Sequence, residues 1–330
     1  MKAKDCLIAA GAIAGVMALG APLGAQAQSA AENPRTAWGV PDFSGVYAEY
    51  TTAPLERSRE YGNREFLTDE EFAELERRRL APIELNPTES TTTPGTRADV
   101  HYNFDQFALG ANEGVSSPNR RTSIVTMPGD GRIPETLPQA AERVQSMRAA
   151  TRGREFDGPE FRSLTERCIM WSSTLPPILP GGYNSNLQIF QSPGYVLIQS
   201  EMGDPRVIPT DGRELPDNLV PQWNGTSVGR WEGDTLVIET TGFRPETAWR
   251  SSSQNLRVTE RISRIDHDTL EYAFTVEDPS TWAEPWGGVY PLTEMQDSVL
   301  FEYACTEGNY GMANILSGER AVEREAAGQE

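Results

Sequence analysis

Between Leu187 and Cys305, short runs of β-branched and aromatic residues recur, each closed by a turn signal, and this spacing limits the fold more than any other feature of the chain. The runs fall at 187–191, 195–202, 206–209, 227–231, 235–241, 256–265, 269–278 and 299–305. Ser192-Pro193-Gly194, Glu232-Gly233-Asp234 and Asp266-His267-Asp268 sit between consecutive runs, where a tight hairpin turn needs small or turn-forming residues. Strands of this length joined by hairpins pair antiparallel, and alternating βα units are absent, which disfavours a parallel dinucleotide-binding sheet. The pattern predicts a mainly β fold: an antiparallel meander closing into a lipocalin-like barrel, or alternatively a two-sheet sandwich, with a few peripheral helices.

The preceding part, residues 28–165, is rich in Pro, Arg and Glu and has few long apolar runs. Two helices are legible in it. Thr68 with Glu71 forms a capping box, and Phe72 and Leu75 give the helix running to Arg79 a thin apolar stripe. A second helix starts at Pro138, with Ala141, Val144 and residues 147–149 along one side. Residues 86–96 read as a Pro/Thr/Ser loop, and the whole part is expected to wrap the barrel rather than fold alone. The expected layout is a signal peptide at 1–27, the wrapping segment at 28–165, the barrel at 166–310 and a polar helical tail at 311–330.

A short basic start, an apolar run from Leu7 to Leu23 and the small-x-small triplet Ala25-Gln26-Ala27 predict a cleavable signal peptide. The run is too short for a membrane span and lacks a stop-transfer flank, so the expected product is periplasmic or secreted, with no stable membrane insertion. Cleavage removes Cys6 and leaves Cys168 and Cys305, which are expected to pair; two buried free thiols are the alternative. The net charge is -19, with 29 basic against 48 acidic residues, and the arginines are scattered among carboxylates, which argues against a nucleic-acid partner. Nothing in the sequence speaks to oligomeric state.

Several motifs extend over nearly the whole chain after the signal: Trp38-Gly39-Val40-Pro41-Asp42, Gly131-Arg132-Ile133-Pro134, Pro205-Arg206-Val207-Ile208-Pro209 with Asp211-Gly212-Arg213, residues 229–237 (GRWEGDTLV), Val276-Glu277-Asp278-Pro279 and residues 302–310 (EYACTEGNY). In their order and spacing the sequence resembles a widespread, uncharacterised family of exported bacterial proteins. The resemblance implies export and brings no activity with it. Similar sequences place histidines near the positions held here by Gly203, Glu214 and Thr306, so a mechanism built on those histidines is not available to this chain.

The chemistry-bearing residues are few. Of two histidines, His267 lies in a predicted turn between aspartates, and His101 precedes Tyr102, Asn103 and Phe104, where it is a candidate to line a binding site. No cluster of His and Cys at zinc spacing, no calcium-loop motif, no nucleophile elbow and no phosphate loop is present, so neither a metal nor a cofactor is expected. Strand parity is more informative. In residues 256–265 one face reads Leu256, Val258, Glu260, Ile262, which places a carboxylate among aliphatic neighbours. A carboxylate on a core face must be paired, be protonated or line a cavity, because burying it ionised and alone costs too much. The next run puts Tyr272 and Asp278 on its apolar face, and the run at 299–305 does the same for Tyr303. Glu260 as base, with Tyr272, Asp278 and Tyr303, would make an acid/base site inside an apolar barrel. The competing reading is a buried salt bridge from Glu260 to Arg206 or Arg250.

Trp249, Arg250, Trp282 and Trp286 fall in longer loops, where exposed rings could stack on a flat ligand. With Arg206 and His101 they are the candidate ligand-binding residues. The functional expectation is an exported barrel that binds, and in one version transforms, a small apolar or aromatic molecule by cofactor-independent lyase, isomerase or hydrolase chemistry. A non-catalytic carrier and an envelope interaction protein are the alternatives.

Overall fold

The computed structural model describes residues 33–79, 118–171, 174–180, 186–216 and 218–328. The predicted signal peptide, the 86–96 loop and His101 lie outside the described residues. Ten strands form one antiparallel sheet: β1 (Gly45–Ala48), β2 (Val125–Met127), β3 (Asn186–Ser192), β4 (Tyr195–Ser200), β5 (Arg206–Pro209), β6 (Thr226–Glu232), β7 (Thr235–Thr241), β8 (Arg257–Arg264), β9 (Thr269–Glu277) and β10 (Trp286–Glu294). Nine follow the order β5-β4-β3-β1-β10-β9-β8-β7-β6, and β2 adds to β10. The sheet curls into a nearly closed barrel. Its end strands, β5 and β6, meet at Gly229, where an added Cβ would lie 3.0 Å from Thr210 Cγ2 and 3.1 Å from Ile208 Cγ2. Side-chain packing across this seam stands in for a hydrogen-bond ladder, and only a glycine lets the strands come so close.

The barrel interior is built from alternate residues: Leu187 and Ile189 of β3, Val196 and Ile198 of β4, Ile208 of β5, Val258 and Ile262 of β8, and Leu270, Tyr272, Phe274 and Val276 of β9, all buried. This is the period-2 pattern read from the sequence. The interior is also plugged by the chain itself. Residues 174–180 bury Leu175 and Ile178, and Ile178 is clasped from two strands: its N–H donates to Tyr272 Oη (2.9 Å) while Tyr290 Oη–H donates to its carbonyl (2.9 Å).

Two strands come from the Pro/Arg/Glu-rich part. β1 lies between β3 and β10, and β2 pairs with β10. Four and three residues long, they are too short to show alternation in sequence. β10 forms where the sequence predicts a longer loop around Trp286, and Gly287, Gly288 and Pro291 weaken its β signal, yet the glycines are what the strand needs there. A Cβ on Gly287 would lie 2.2 Å from Phe274 O, and one on Gly288 would lie 2.5 Å from Ile124 O, at the point where β2 joins and the register shifts. Conversely, the expected strand at 299–305 is irregular chain. Its alternation is real, but it pairs with no strand of the sheet.

Three α-helices lie among the described residues: α1 (Asp69–Arg79), α2 (Pro138–Thr151) and α3 (Gly311–Ala326). The capping box of α1 is formed, with Glu71 N–H donating to Thr68 Oγ1 (3.2 Å) and Thr68 N–H donating to Glu71 Oε2 (2.8 Å). α2 starts at Pro138 but buries Ala140, not the side expected from Ala141 and Met147, both of which are exposed. Its orientation is set by Arg143, which donates to Ser251 O (2.7 Å) and Thr281 Oγ1 (2.8 Å). No residue of α3 is buried. No helix among the described residues is long and apolar enough to cross a membrane. Cys168 and Cys305 form a disulfide between positions 137 apart in sequence.

Candidate functional site

Glu260 points into the barrel, 0% exposed, from the middle of β8. Arg206, at the start of β5, meets it as a two-pronged ion pair: Nη2 to Oε2 is 2.7 Å and Nη1 to Oε1 is 3.1 Å. Tyr272 Oη–H donates to the same Oε1 at 2.7 Å and itself accepts the Ile178 N–H. Burial opposes the charge on Arg206, but the adjacent carboxylate and its hydrogen bonds outweigh burial and hold the guanidinium above its ordinary pKa. Burial, reinforced by the nearby Glu260 charge, pushes the Tyr272 hydroxyl well above its ordinary value, and burial does the same to Tyr290.

A general base must reach its substrate with a free lone pair. Glu260 accepts three hydrogen bonds from protein groups and touches no solvent, and Ile178 closes the space in front of Tyr272. The cluster is a buried salt bridge with a tyrosine attached, formed with the Arg206 partner of the competing reading. Arg250 is elsewhere, exposed, over the Trp249 ring at 5.6 Å.

The remaining candidates do not converge on Glu260. Asp278 is buried just after β9 but holds a turn: it accepts from Ser253 N–H (2.6 Å), Ser280 N–H (3.0 Å), Ser280 Oγ (2.7 Å) and Thr281 Oγ1 (2.7 Å). Burial works against its ionised form, and these donors more than offset burial, holding its carboxyl below the usual range. Tyr303 is not interior; it is partly exposed and packs edge-on against Trp171, with ring centroids 5.4 Å apart. Trp249, Trp282 and Trp286 are buried, so they present no face to a ligand. Trp286 stacks on Trp249 (5.9 Å) and meets Trp282 edge-to-face (5.8 Å), forming an aromatic plug that packs on Phe274. His267 is an exposed turn residue beside Asp268.

The largest cavity described lies outside the barrel. It is a groove of about 630 Å³ whose floor is the outward face of β3 and β4, through Gln188, Phe190 and Gln199. Its far wall is the irregular strip at 300–306, tied to the near wall by the disulfide. Asn309 Nδ2 donates to Cys168 Sγ at 3.3 Å and braces this junction. Trp171 and Tyr303 form one corner, Phe190 and Phe301 stand exposed in the lining, and Glu201, Asp204 and Glu302 contribute carboxylates. Glu201 is held by Asn186, whose N–H and Nδ2 donate to its Oε2 at 3.4 and 3.2 Å. Gly203 and Thr306 both line the groove. A separate cavity of about 370 Å³ is lined by Arg250, Tyr50, Leu55 and Leu179.

Of these groove residues the sequence singles out Cys168 and Cys305, as a disulfide, and Tyr303, which it places in the interior. The legible signal was the pairing of Cys168 with Cys305, which brings two irregular segments together over the sheet. Among the described residues no group of three or more His, Cys, Asp or Glu is arranged to hold a metal ion. Comparison with models of known families, with curated proteins and with solved structures gives no match.

Proposed function

We propose that the protein is an exported, non-catalytic binding protein that holds a small molecule with an aromatic or apolar body in the external groove, while the barrel interior serves as its scaffold. The observation that carries this reading is the division of labour between the two places. The acid/base cluster is dry, saturated and closed off by the protein's own chain. The groove is open, and three of its aromatic rings are left facing solvent, Phe301 at 77%, Phe190 at 48% and Tyr303 at 37% exposure. Exposed aromatic surface in a concave site is costly to leave bare and is the usual lining of a ligand pocket. Export is supported by the signal-like N-terminus and by the disulfide, which persists in oxidising compartments.

Native mass spectrometry of the protein isolated from its own cell envelope tests this. A small molecule should be retained by the wild type and lost from the Phe301→Ala/Tyr303→Ala variant. Equal retention by both would place the ligand elsewhere, and a bare wild type would overturn the reading.

A further inference from the structure

We infer that the groove selects organic cations, ligands carrying an ammonium or similar charge on an aromatic or apolar body; this inference rests on the groove being the binding site. Several rings elsewhere in the protein lie under an arginine, and those of the groove do not. Among the described residues, arginines cover nine rings, including three exposed ones: Arg121 over Phe66 (4.8 Å), Arg162 over Phe156 (5.0 Å) and Arg213 over Tyr195 (5.6 Å). The remaining covered rings are Tyr61, Phe72, Phe161, Trp223, Trp249 and Phe43. A guanidinium over a π-face is attracted by the ring quadrupole, so these pairs are a standing internal example of cation recognition.

No described arginine covers Phe190, Phe301, Tyr303 or Trp171. No arginine or histidine appears in the described lining of the groove, and beyond Lys4 the chain contains no lysine at all. Where an arginine would stand, the groove offers Glu201, Asp204 and Glu302 instead. Uncovered rings beside unneutralised carboxylates attract a cation by two additive routes, and repel an anion by both. Net acidity of the chain does not explain this by itself. Trp38 is also exposed and uncovered, but the cavity it lines, with Gln191, Tyr195 and Trp231, contains no acidic side chain. Rings and carboxylates coincide in this groove, which at about 630 Å³ has room for a ligand larger than a simple amine.

Three probes of closely similar size separate the terms: benzylammonium, benzyl alcohol and benzoate, titrated by calorimetry, with the neutral dye Nile red as a control for the groove. The cation should bind at least about tenfold tighter than benzoate and several-fold tighter than the alcohol, and its affinity should fall with added salt. Asp204→Asn/Glu302→Gln, both at exposed positions, should reduce the cation's affinity by about fivefold or more and leave Nile red unchanged. Equal binding of cation and alcohol, or an unaltered cation affinity in the double variant, would overturn charge selection while Nile red binding left the groove reading standing. Failure of Nile red as well would remove the groove itself.

Discussion

At the scale of single residues, the inward turn of Glu260 was readable because side-chain direction in a strand depends only on parity, which is local. Its partner could be narrowed only to Arg206 or Arg250, since Arg206 lies 54 positions away and reaches it through barrel closure. The energetics of the pair follow from burial. Glu260→Gln leaves a guanidinium in the interior without its counter-charge and is expected to destabilise the protein by about 3–5 kcal/mol in urea unfolding. Arg206→Met/Glu260→Met, which removes both charges, should recover most of that loss; a double variant worse than the single would mean that the pair contributes net stability. Asp278 provides a pH test. Its carboxyl is depressed when folded, so its contribution is complete above the unfolded value of about 3.9 and is lost as pH falls through the lower, folded value. Asp278→Asn should therefore be less stable than wild type near neutrality, with the gap narrowing in acid. A gap independent of pH would contradict the ionised turn. The tryptophans mark the limit of residue-level reading, because nothing in composition tells a ring that plugs a barrel from one that stacks on a ligand.

At the scale of elements, hairpin strands and the α1 cap were legible because both are specified by neighbours in sequence. β7, β8 and β9 sit where their β-branched runs lie, within one or two residues. β10 and the strip at 299–305 exchanged roles for a physical reason: a strand exists only if an edge accepts it, and edges are a property of the assembled sheet. Gly288 is the sharpest case, since its lack of a Cβ admits β2 against β10. Gly288→Ala should cost about 2–3 kcal/mol, a larger loss than the usual strand effect, because the clash is with backbone. An alanine tolerated within about 0.5 kcal/mol would show that the bulge is not constrained as described.

For the whole molecule, closure brings the ends of the meander together and leaves the proposed binding groove outside, on β3 and β4, under a strip held by one covalent tie. Sequence could anticipate the barrel and the disulfide separately, but the groove arises from their combination. Replacing both cysteines by serine should lower stability by roughly 2–4 kcal/mol and weaken ligand binding, because the wall carrying Phe301 and Tyr303 is no longer pinned to Trp171. The most direct test of where this protein works is a Nile red titration of three forms: wild type, Tyr303→Ala in the groove and Tyr272→Phe in the barrel. Tyr303→Ala should lose most of the binding while Tyr272→Phe binds as wild type does, at somewhat reduced stability; the reverse order would return the site to the barrel interior and overturn the groove as the binding site.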